Sequence, residues 1–525
     1  MKLIPLLTAA TLIAPTLGVA QQPATPTVLR DSLNAFIQRG MTDWNIPGMS
    51  IAVVRNDSIL MAEGYGVRQH GQSGRVDEHT RFGIMSTTKA MTVMGIALLV
   101  EDGVLRWNDL VTKWVPEFEM PDPYVTRELT ILDLLTHRAG LGNADLLWTR
   151  WDLDDKEIFR RVRDLRPAYS LRAGYVYQNI MYGLAGHVIE RTSGKTFDQF
   201  LRVRLWEPLG MTRTAATWGD VAASGDANVS VPHVLVDNQV HVVAENPVDV
   251  IPSAGAVWST AHDMARWVSF LLDSTRVNGS RMLSERNYEM LFRPHNVLRY
   301  EQFYPTTIRT RPRWTAYGTG WFLQDYRDAF IAFHTGSLNG RIAIVGLLPE
   351  ENFGVIMLGN MDHAEFRHAL MLKAFDLQLG DPSHDWNTDL LSLYDSLDAR
   401  GDSIQAARET EQIAGTSPRL PLEKYAGTYR HRVWGDVVVR STREGLSANL
   451  GDNPRFAGPL VHWHHETFRT HWGDGLSTPG WLTFVLAPDG SVAELQLGYG
   501  GGDRYVRVEM DNWRDENVRN DGGSP

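Results

Sequence analysis

The sequence contains no cysteine among its 525 residues. It can therefore form no disulfide bond, no thiolate metal site and no lipid-bearing N-terminal cysteine. Gly-x-Ser-x-Gly is also absent, which excludes the nucleophile elbow of the α/β-hydrolases. Long basic runs are missing, and the net charge of −11 argues against nucleic acid as the main partner. The sequence therefore indicates a protein that folds without covalent cross-links and does not act on nucleic acid.

Long apolar runs are equally scarce, and the one that stands out lies at the N-terminus. Lys2 precedes an uncharged stretch from Leu3 to Val19, and Gly18-Val19-Ala20 has the small-x-small pattern of a cleavage site. We predict a signal peptide over residues 1–20 and an exported protein, periplasmic or extracellular. The alternative, an uncleaved membrane anchor, is disfavoured by the short length and by Pro5 and Pro15. No stable membrane anchor is expected once the signal is removed.

Length and composition indicate several folded parts. A chain of 525 residues with 22% charged and 43% hydrophobic residues is typical of a globular protein with more than one domain. We predict a main domain over residues 21–380 and a charged helical linker over residues 381–418. From Leu422 onward the sequence changes to short strands and turns, which predicts a small all-β barrel or sandwich over residues 419–515. Residues 516–525 are polar and are predicted to form a mobile tail.

Ser86 and Lys89 form the centre around which the main domain is organised. The apolar stretch Ala90–Val100 repeats at helical spacing, so Ser86 falls at the start of a buried helix. Lys89 projects from the same face one turn away. A lysine whose pKa is lowered by burial can take the proton of a serine hydroxyl, and a helix N-terminus favours an oxyanion. The alternative is a helix-capping serine beside a surface lysine.

A second polar stretch carries a tyrosine and an asparagine two residues apart. Tyr177-x-Asn179 is predicted on a loop before a helix over Leu184–Arg191. A buried phenol near a lysine can relay a proton, and the amide can bond both the lysine and a substrate carbonyl. The alternative is an ordinary aromatic loop that packs against the core. His137 ends the helix predicted over Thr130–Arg138, and we interpret it as bonded to backbone rather than catalytic.

A third stretch, Phe330–Ser337, reads as a strand with a polar, glycine-bearing end. Gly336 would let a substrate backbone come close to the strand. The backbone N–H groups of Ser337 and Ser86 are predicted to form an oxyanion hole. Arg341–Leu348 and Phe353–Gly359 are predicted to be the next strands of the same sheet.

Taken together, these stretches resemble a known superfamily of enzymes. They occur in the order Ser86-x-x-Lys89, Tyr177-x-Asn179 and His334-Thr335-Gly336. The set is similar to the serine β-lactamase and penicillin-binding-protein superfamily, in its class C-like branch. That branch includes D-aminopeptidases, DD-carboxypeptidases and family VIII esterases. The resemblance covers roughly residues 28–375, and three flanking segments agree with it: Leu134–Leu141, Tyr182–Glu190 and Ala254–Thr260.

The resemblance implies both a fold and a division of chemical roles. The expected fold is α/β (α+β), with an antiparallel sheet built from N- and C-terminal segments, helices behind it and a helical lobe beside it. The active site would lie between the two lobes. Ser86 would be the acylated nucleophile, Lys89 its base, Tyr177 a proton-transfer partner and Asn179 a substrate-orienting residue. No cofactor is implied.

The third motif departs from the β-lactamase pattern. His334 replaces a lysine that helps β-lactamases of this branch to hold a substrate carboxylate, so Arg341 or the arginines of a basic, aromatic loop over residues 293–315 would have to hold it. Residues 215–250 lack periodicity and are predicted to be a long surface excursion bordering the pocket. The predicted substrate-binding residues are Asn179, His334, Thr335, Gly336, Ser337 and Arg341.

The predicted function is that of an exported serine hydrolase that works through a Ser86 acyl-enzyme. Its substrates would be small peptides with D-residues, cell-wall fragments or esters. A first alternative is a β-lactamase or DD-carboxypeptidase. A second, of another class, is a penicillin-binding sensor or binding protein that acylates without turnover.

Several histidines near the C-terminus raise the question of a metal. His462 and His464 would share one face of a strand, with His465 and His471 nearby. Histidines in such a pattern more often lie at the surface or have a structural role than bind a metal, and we predict no metal site.

Overall fold

The structure is a computed structural model that describes residues 22–150, 152–473, 480–498 and 502–508. The predicted signal peptide over residues 1–20 and the predicted tail over residues 516–525 lie outside the described residues. Within them, no helix is both long and apolar enough to cross a membrane.

The helices concentrate in the first three quarters of the chain. In order they are α1 Pro26–Asp43, α2 Thr88–Glu101, α3 Pro123–Glu128, α4 Ile131–Leu135, α5 Asp145–Thr149, α6 Asp155–Val162, α7 Asn179–Ser193, α8 Phe197–Leu201, α9 Glu207–Leu209, α10 Trp218–Ala223, α11 Pro252–Gly255, α12 Ala261–Leu272, α13 Glu285–Phe292, α14 Thr307–Thr310, α15 Phe366–Leu379 and α16 Trp386–Glu409. A 3₁₀ turn over Met85–Thr87 leads directly into α2.

The strands fall into a large sheet, three small ribbons and a barrel. In order they are β1 Gly48–Arg55, β2 Ser58–Gly66, β3 Phe82–Gly83, β4 His233–Val236, β5 Gln239–Val242, β6 Trp258–Ser259, β7 Arg276–Val277, β8 Ser280–Arg281, β9 Asn296–Val297, β10 Thr315–Tyr317, β11 Phe322–Tyr326, β12 Ala329–Leu338, β13 Arg341–Leu348, β14 Phe353–Gly359, β15 Gly427–His431, β16 Gly435–Thr442, β17 Gly445–Leu450, β18 Ala457–His464, β19 Thr467–Thr470, β20 Gly480–Leu486, β21 Val492–Leu497 and β22 Asp503–Val508.

The large sheet joins the two ends of the main domain, as the resemblance implied. Its strand order is β2-β1-β14-β13-β12-β11-β10-β9, and its neighbouring strands are antiparallel. Where the N-terminal strand β1 pairs with the C-terminal strand β14, Ile51 lies opposite Met357. This pairing closes the domain across about 300 residues of intervening chain, most of which forms the helical lobe.

Both faces of the sheet are buried, because side chains alternate along each strand. Ile51 and Val53 face one hydrophobic core with α1, α15 and α16, whereas Ala52 and Val54 face a second core with α2, α7 and α12. The second core is larger and extends into the helical lobe. The strands therefore read as near-continuous apolar runs, and β1 is buried from Gly48 to Val54.

The C-terminal strands β15–β22 form a closed antiparallel barrel, in which β22 pairs with β15. Alternate residues point inward: Val437 and Val439 of β16 are buried, whereas Val438 between them is partly exposed. Closure leaves no free strand edge. Of the two predicted architectures, barrel and sandwich, the structure has the barrel.

The barrel packs against the helical lobe. Arg161 of α6 donates a hydrogen bond of 3.0 Å to the Val433 carbonyl, and Asn453 Nδ2 donates one of 3.0 Å to the carbonyl of Thr149. Val433 is buried in the core of the main domain, and Leu146 packs against the core of the barrel. The two parts therefore share an interface at the segment that carries α5 and α6.

Two local expectations differ from the structure. Residues 215–250 contain α10 and the β4–β5 hairpin, and His233 in this stretch is fully buried. Its Nδ1 contacts the carbonyl of Asn360 at 2.8 Å, so the stretch is fixed by a distant segment that sequence periodicity does not reveal. Asn179 begins α7 instead of lying on a loop, because the helix extends five residues further toward the N-terminus than its apolar pattern.

Candidate active site

Ser86 lies on the 3₁₀ turn that precedes α2, at the boundary between the sheet and the helical lobe. Met85, just before it, has a left-handed backbone with φ of 49°, which is uncommon for a residue with a side chain. The turn is held by Thr87, whose hydroxyl donates a hydrogen bond of 2.7 Å to the Ile84 carbonyl. The Ser86 hydroxyl faces a cavity.

Lys89 is completely buried and makes three polar contacts through Nζ. Nζ lies 3.1 Å from Ser86 Oγ, 2.7 Å from Asn179 Oδ1 and 2.6 Å from the Ala254 carbonyl oxygen. A neutral amine has two hydrogens and one lone pair. The two oxygens that can only accept would fix the two hydrogens, which leaves the lone pair for the Ser86 hydroxyl. This is the geometry that a general base requires.

The electrostatic environment agrees with that role. Burial lowers the pKa of Lys89 to about 7, and the nearby Asp145 carboxylate partly opposes this shift. Near neutral pH a substantial fraction of Lys89 is therefore unprotonated and able to accept the serine proton. Free lysine, with a pKa near ~10.4, would be almost entirely charged.

Tyr177 packs beside Lys89 as a neutral phenol. Lys89 Nζ lies 4.9 Å from its ring centroid. Burial raises the pKa of Tyr177 well above 10, although a hydrogen bond with the Ser86 side chain acts in the opposite direction. Tyr177 therefore carries its proton at neutral pH and can donate or relay it. Lys89, which is partly unprotonated at that pH, is the better general base.

His137 supports this segment from behind and is bonded to backbone, as interpreted. Its Nδ1 accepts a hydrogen bond of 3.0 Å from the Gln178 N–H, between Tyr177 and Asn179. The His137 and Tyr177 rings lie 4.3 Å apart. Burial lowers the pKa of His137 well below 6.5, so the ring is neutral. His137 thus holds the Tyr177-x-Asn179 segment and lies outside the cavity wall.

Asn179 connects the lysine to a carboxylate that the sequence analysis did not identify. While Oδ1 accepts from Lys89, Nδ2 donates a hydrogen bond of 2.9 Å to Asp145 Oδ1. The same Asp145 oxygen accepts a bond of 2.7 Å from the Trp148 indole. Asp145 and Trp148 both belong to α5, and both line the cavity.

His334 lies behind the cavity wall, where it is 1% exposed. Its Nε2 contacts the Tyr317 hydroxyl at 3.1 Å, and its Nδ1 contacts the Thr335 carbonyl at 2.7 Å. Burial, with a smaller effect from Lys89, lowers the pKa of His334 to about 3. The ring is therefore neutral at physiological pH and is not among the residues that line the cavity.

The rest of the third motif does face the cavity. Thr335 and Ser337 line it, and the Thr335 hydroxyl is hydrogen-bonded to Tyr304. Gly336 brings β12 against the serine turn: a Cβ at this position would lie 2.6 Å from the Ile84 carbonyl oxygen. The close approach that this glycine permits is therefore that of the nucleophile turn, and the oxyanion hole of Ser86 and Ser337 stays a prediction.

A buried ion pair lies beneath the same strand end. Arg367 Nη1 donates bonds of 2.6 Å to the Gly336 carbonyl and to Ser337 Oγ. Its Nε and Nη2 bind the Glu365 carboxylate at 3.0 and 2.8 Å. Both residues line the cavity, yet four of the five guanidinium hydrogens already have protein acceptors.

The structure does not bring Arg341 to the cavity. It is 2% exposed, and its guanidinium donates to Glu245 at 2.7 Å and to the Ser230 carbonyl at 2.7 Å. The guanidinium also lies 4.5 Å from the Trp258 ring centroid. In the 293–315 loop, Arg309 pairs with Asp389 and Arg313 with Asp325. These charges are therefore engaged elsewhere.

Together these residues enclose a cavity of about 520 Å³, large enough for a small ligand. Its wall is mostly apolar and aromatic, with a few polar groups around Ser86. The lining residues are Met85, Ser86, Asp145, Trp148, Tyr175, Tyr177, Asn179, Val248, Ile251, Ala254, Gly255, Gln302, Phe303, Tyr304, Phe322, Thr335, Ser337, Leu338, His363, Glu365 and Arg367.

The C-terminal histidines do not converge. His462 Nε2 contacts the carbonyl of His465, and His464 Nδ1 accepts a bond from the Ile413 N–H. Across the described residues, no group of three or more histidine, aspartate or glutamate side chains is arranged to hold a metal ion.

Comparison with known proteins decides the family. Residues 33–378 match the family described as Beta-lactamase. The chain belongs to the beta-lactamase family. Residues 411–512 match a domain of unknown function, DUF3471, which includes the barrel strands. This membership places the protein among the serine hydrolases related to β-lactamases and penicillin-binding proteins.

Relatives of this beta-lactamase family member include named hydrolases. The chain is 28% identical over 425 residues to "Unguisins hydrolase ungD'" of Aspergillus campestris (strain IBT 28561), covering 77% of this chain and 76% of that protein. It is 29% identical over 434 residues to "Unguisins hydrolase ungD" of Aspergillus violaceofuscus (strain CBS 115571), covering 75% and 74%. Protein flp of Staphylococcus aureus (strain COL) is 25% identical over 338 residues, or 63% of each chain.

A solved structure shows the same fold. The octameric penicillin-binding protein homologue from Pyrococcus abyssi superposes with a TM-score of 0.61 at 20% identity. The match covers 91% of this chain and 100% of that chain. The fold expected from the sequence, a β-lactamase-like domain followed by an all-β domain, is thereby confirmed.

Proposed function

We propose that this protein is an exported serine hydrolase that cleaves amide or ester bonds through an acyl-enzyme on Ser86. The observation that carries the proposal is the arrangement around Lys89 Nζ. Asn179 Oδ1 and the Ala254 carbonyl accept two of its hydrogens, and the remaining direction is toward Ser86 Oγ at 3.1 Å. A buried amine with a pKa of about 7 can remove the serine proton at neutral pH.

The steps follow from the positions of these groups. Lys89 takes the proton as Ser86 Oγ attacks the carbonyl carbon, and a tetrahedral intermediate forms. The neutral Tyr177 phenol, hydrogen-bonded with Ser86, would pass a proton to the leaving group as the bond to it breaks, and would take up in its place the proton held by Lys89. Water then attacks the acyl-enzyme as Lys89 takes one of its protons, and that proton passes to Ser86 Oγ as the acyl–oxygen bond breaks. Backbone N–H groups of Ser86 and Ser337 would stabilise the oxyanion.

The proposed substrates are small peptides with D-residues, cell-wall fragments or esters. Two relatives named as unguisins hydrolases support hydrolysis as the reaction class. The cavity of about 520 Å³ suits a short acyl chain with one neighbouring group. The short, uncharged N-terminal stretch that ends in Gly18-Val19-Ala20 supports export. N-terminal sequencing of the secreted protein would test it.

A substrate panel with an active-site variant tests the proposed function. Wild-type protein and Ser86→Ala are assayed with p-nitrophenyl acetate, D-alanine p-nitroanilide and nitrocefin. Intact mass is recorded after reaction with a fluorophosphonate. We expect one adduct, localised to Ser86, and hydrolysis that Ser86→Ala abolishes. An adduct on another residue, or full activity in Ser86→Ala, would contradict the proposal. A stable acyl-enzyme without turnover would indicate a sensor.

A further inference from the structure

The active-site cavity contains a carboxylate that forms no direct ion pair within the described part of the chain. Asp145 lines the cavity and is partly exposed. Among the described residues, no lysine, arginine or histidine nitrogen lies within ion-pair distance of its carboxylate. Its partners are neutral donors: Asn179 and Trp148 on Oδ1, and Asn143 at 3.0 Å on Oδ2. These donors orient the carboxylate without cancelling its charge.

The carboxylate is also connected to the reacting atoms. A chain of contacts runs from Ser86 Oγ to Lys89 Nζ, then across the Asn179 amide to Asp145 Oδ1, with lengths of 3.1, 2.7 and 2.9 Å. Ser86 and Asp145 line the same cavity, so an acyl group bound at Ser86 shares that cavity with the carboxylate. Three of the roughly four acceptor positions of the carboxylate are occupied, which leaves Oδ2 able to accept one more hydrogen bond.

We infer that Asp145 selects acyl groups that carry an ammonium ion, so that the enzyme prefers substrates with a free amino group beside the scissile carbonyl. This inference rests on the proposed function. The indole N–H of Trp148 donates to Asp145 Oδ1 and so holds the carboxylate at the cavity wall, which Trp148 also lines. In the reactive state Lys89 is uncharged, so Asp145 has no cation nearby among the described residues. A substrate ammonium would then serve as its cationic partner.

The remaining charges of the cavity are consistent with this selection. Arg367 is matched by Glu365, and His363 contacts Asp362 at 2.8 Å and points largely to solvent. Lys89 and His334 are buried, and Arg341 is paired with Glu245 outside the cavity. A substrate carboxylate would therefore meet the unpaired carboxylate of Asp145, because Glu365 and Arg367 neutralise each other. The same surface that attracts an amine repels an acid.

Four matched p-nitroanilides test the inference on the full-length protein. The acyl groups are D-alanyl, β-alanyl, propionyl and succinyl, which differ in the presence and sign of one charge. At pH 7 we expect kcat/KM for D-alanyl or β-alanyl to exceed that for propionyl by about tenfold, which corresponds to about 1.4 kcal/mol. The succinyl compound should be slower than the propionyl compound. Equal or faster hydrolysis of the propionyl compound than of both amines would overturn the inference.

Asp145→Asn should reduce the ratio of amine to propionyl kcat/KM toward 1. The ratio removes any effect of Asp145 on Lys89, because that effect is common to both substrates. Asp155→Asn removes the same charge at the start of α6, outside the cavity, and should keep the wild-type ratio. An unchanged ratio in Asp145→Asn, or the same fall in both variants, would contradict the assignment.

The pH dependence of the wild-type ratio gives a test that needs no variant. Amino groups of this kind lose their proton near pH ~8, so the preference for the amine should fall as pH rises through that value. A ratio that stays constant from pH 6.5 to 9.5 would overturn the inference. If instead wild type and Ser86→Ala hydrolyse all four compounds equally, the proposed function itself fails. If propionyl hydrolysis depends on Ser86 but the amines are not preferred, the proposed function stands and only the role of Asp145 is rejected.

Discussion

At the scale of single residues, the state of Lys89 decides when the enzyme can react. Burial outweighs the attraction of Asp145 and sets the pKa of Lys89 at about 7. Only the unprotonated amine accepts the serine proton. We expect kcat/KM for a neutral p-nitrophenyl ester to rise with pH through about 7, and to fall about tenfold per pH unit well below it. A pH–rate profile from pH 5 to 9 measures this midpoint.

A histidine could mimic such a midpoint, so the profile needs a control. The pKa of His334 is lowered to about 3, so its ring does not change charge between pH 5 and 9. Burial also lowers the pKa of His137 well below 6.5. His334→Gln should therefore change the absolute rate while the midpoint stays near 7. A midpoint that disappears in His334→Gln would assign the titration to the histidine and contradict the role given to Lys89.

Lys89 and Tyr177 should behave as one proton-transfer unit, because both contact Ser86. We expect Lys89→Ala and Tyr177→Phe each to lower kcat by at least about a hundredfold. The double variant should lose less than the product of the two single losses, since each variant already disables the shared path. Lys113→Ala, on an exposed lysine paired with Asp109, is the control. Steady-state kinetics with a p-nitrophenyl ester measure the losses, and strictly multiplicative losses would contradict the shared path.

Sequence reasoning identified residues that belong to a short motif and missed those that no motif marks. Ser86 and Lys89 are one helical turn apart, so their contact follows from local geometry. Asp145 and Arg367 enter the cavity through contacts with segments more than 30 residues away, Asn179 and Gly336. No short motif marks such pairs.

At the scale of elements, the approach of β12 to the serine turn depends on one glycine. A Cβ at position 336 would lie 2.6 Å from both the Ile84 carbonyl oxygen and Met85 Cβ, and 3.1 Å from the Ser86 nitrogen. Because these are backbone and near-backbone atoms, either the turn or the strand must move. We expect Gly336→Ala to lower kcat/KM by tenfold or more, and to lower the free energy of unfolding by about 1–3 kcal/mol.

The matched control for this substitution is Gly401→Ala in α16. A Cβ there meets no atom within 4 Å, and the position lies inside a helix. Alanine should raise the free energy of unfolding by about 0.5–1 kcal/mol and leave kcat/KM unchanged. Urea unfolding and ester kinetics on both variants measure the contrast. Equal kinetic effects of the two substitutions would show that close packing at position 336 does not matter.

Elements with strong internal periodicity were predictable, and irregular ones were not. The strands β13 and β14 have the bounds that their apolar patterns predict. The β4–β5 hairpin was missed because its strands are only four residues long and mostly exposed. Apolar and polar residues therefore do not alternate clearly enough along them to indicate a strand. Its position is fixed by contacts such as that of His233 with Asn360.

At the scale of the whole molecule, the barrel supports one wall of the active-site cavity. Asn453 is 2% exposed and holds the carbonyl of Thr149, the last residue of α5. Arg150, the next residue, donates to the carbonyl of Trp434. Because α5 also carries Asp145 and Trp148, the barrel and the substrate-facing wall are mechanically connected. The sequence indicated a separate β domain, but this contact could not be predicted because it depends on how two folded parts pack.

A chain shortened after Gly415 tests the connection. We expect it to stay folded and to acylate Ser86, since the groups that Lys89 Nζ contacts, on Ser86, Asn179 and Ala254, all belong to the main domain. Its preference for alanyl over propionyl p-nitroanilide should fall toward 1, because α5 loses its support.

Asn453→Ala examines the same connection without deletion. It removes the hydrogen bond to the Thr149 carbonyl and the one that Asn453 Oδ1 accepts from the Arg455 N–H, each worth about 1 kcal/mol. The loss of the first should lower the amine preference by a fewfold while the propionyl rate changes less. Thr442→Ala, which alters a barrel hairpin away from α5, should behave as wild type. If the shortened chain and Asn453→Ala both keep the wild-type ratio, α5 holds its position without the barrel. If the shortened chain is insoluble, Asn453→Ala still decides, because a defect confined to the amine substrates requires a local effect on the wall that carries Asp145.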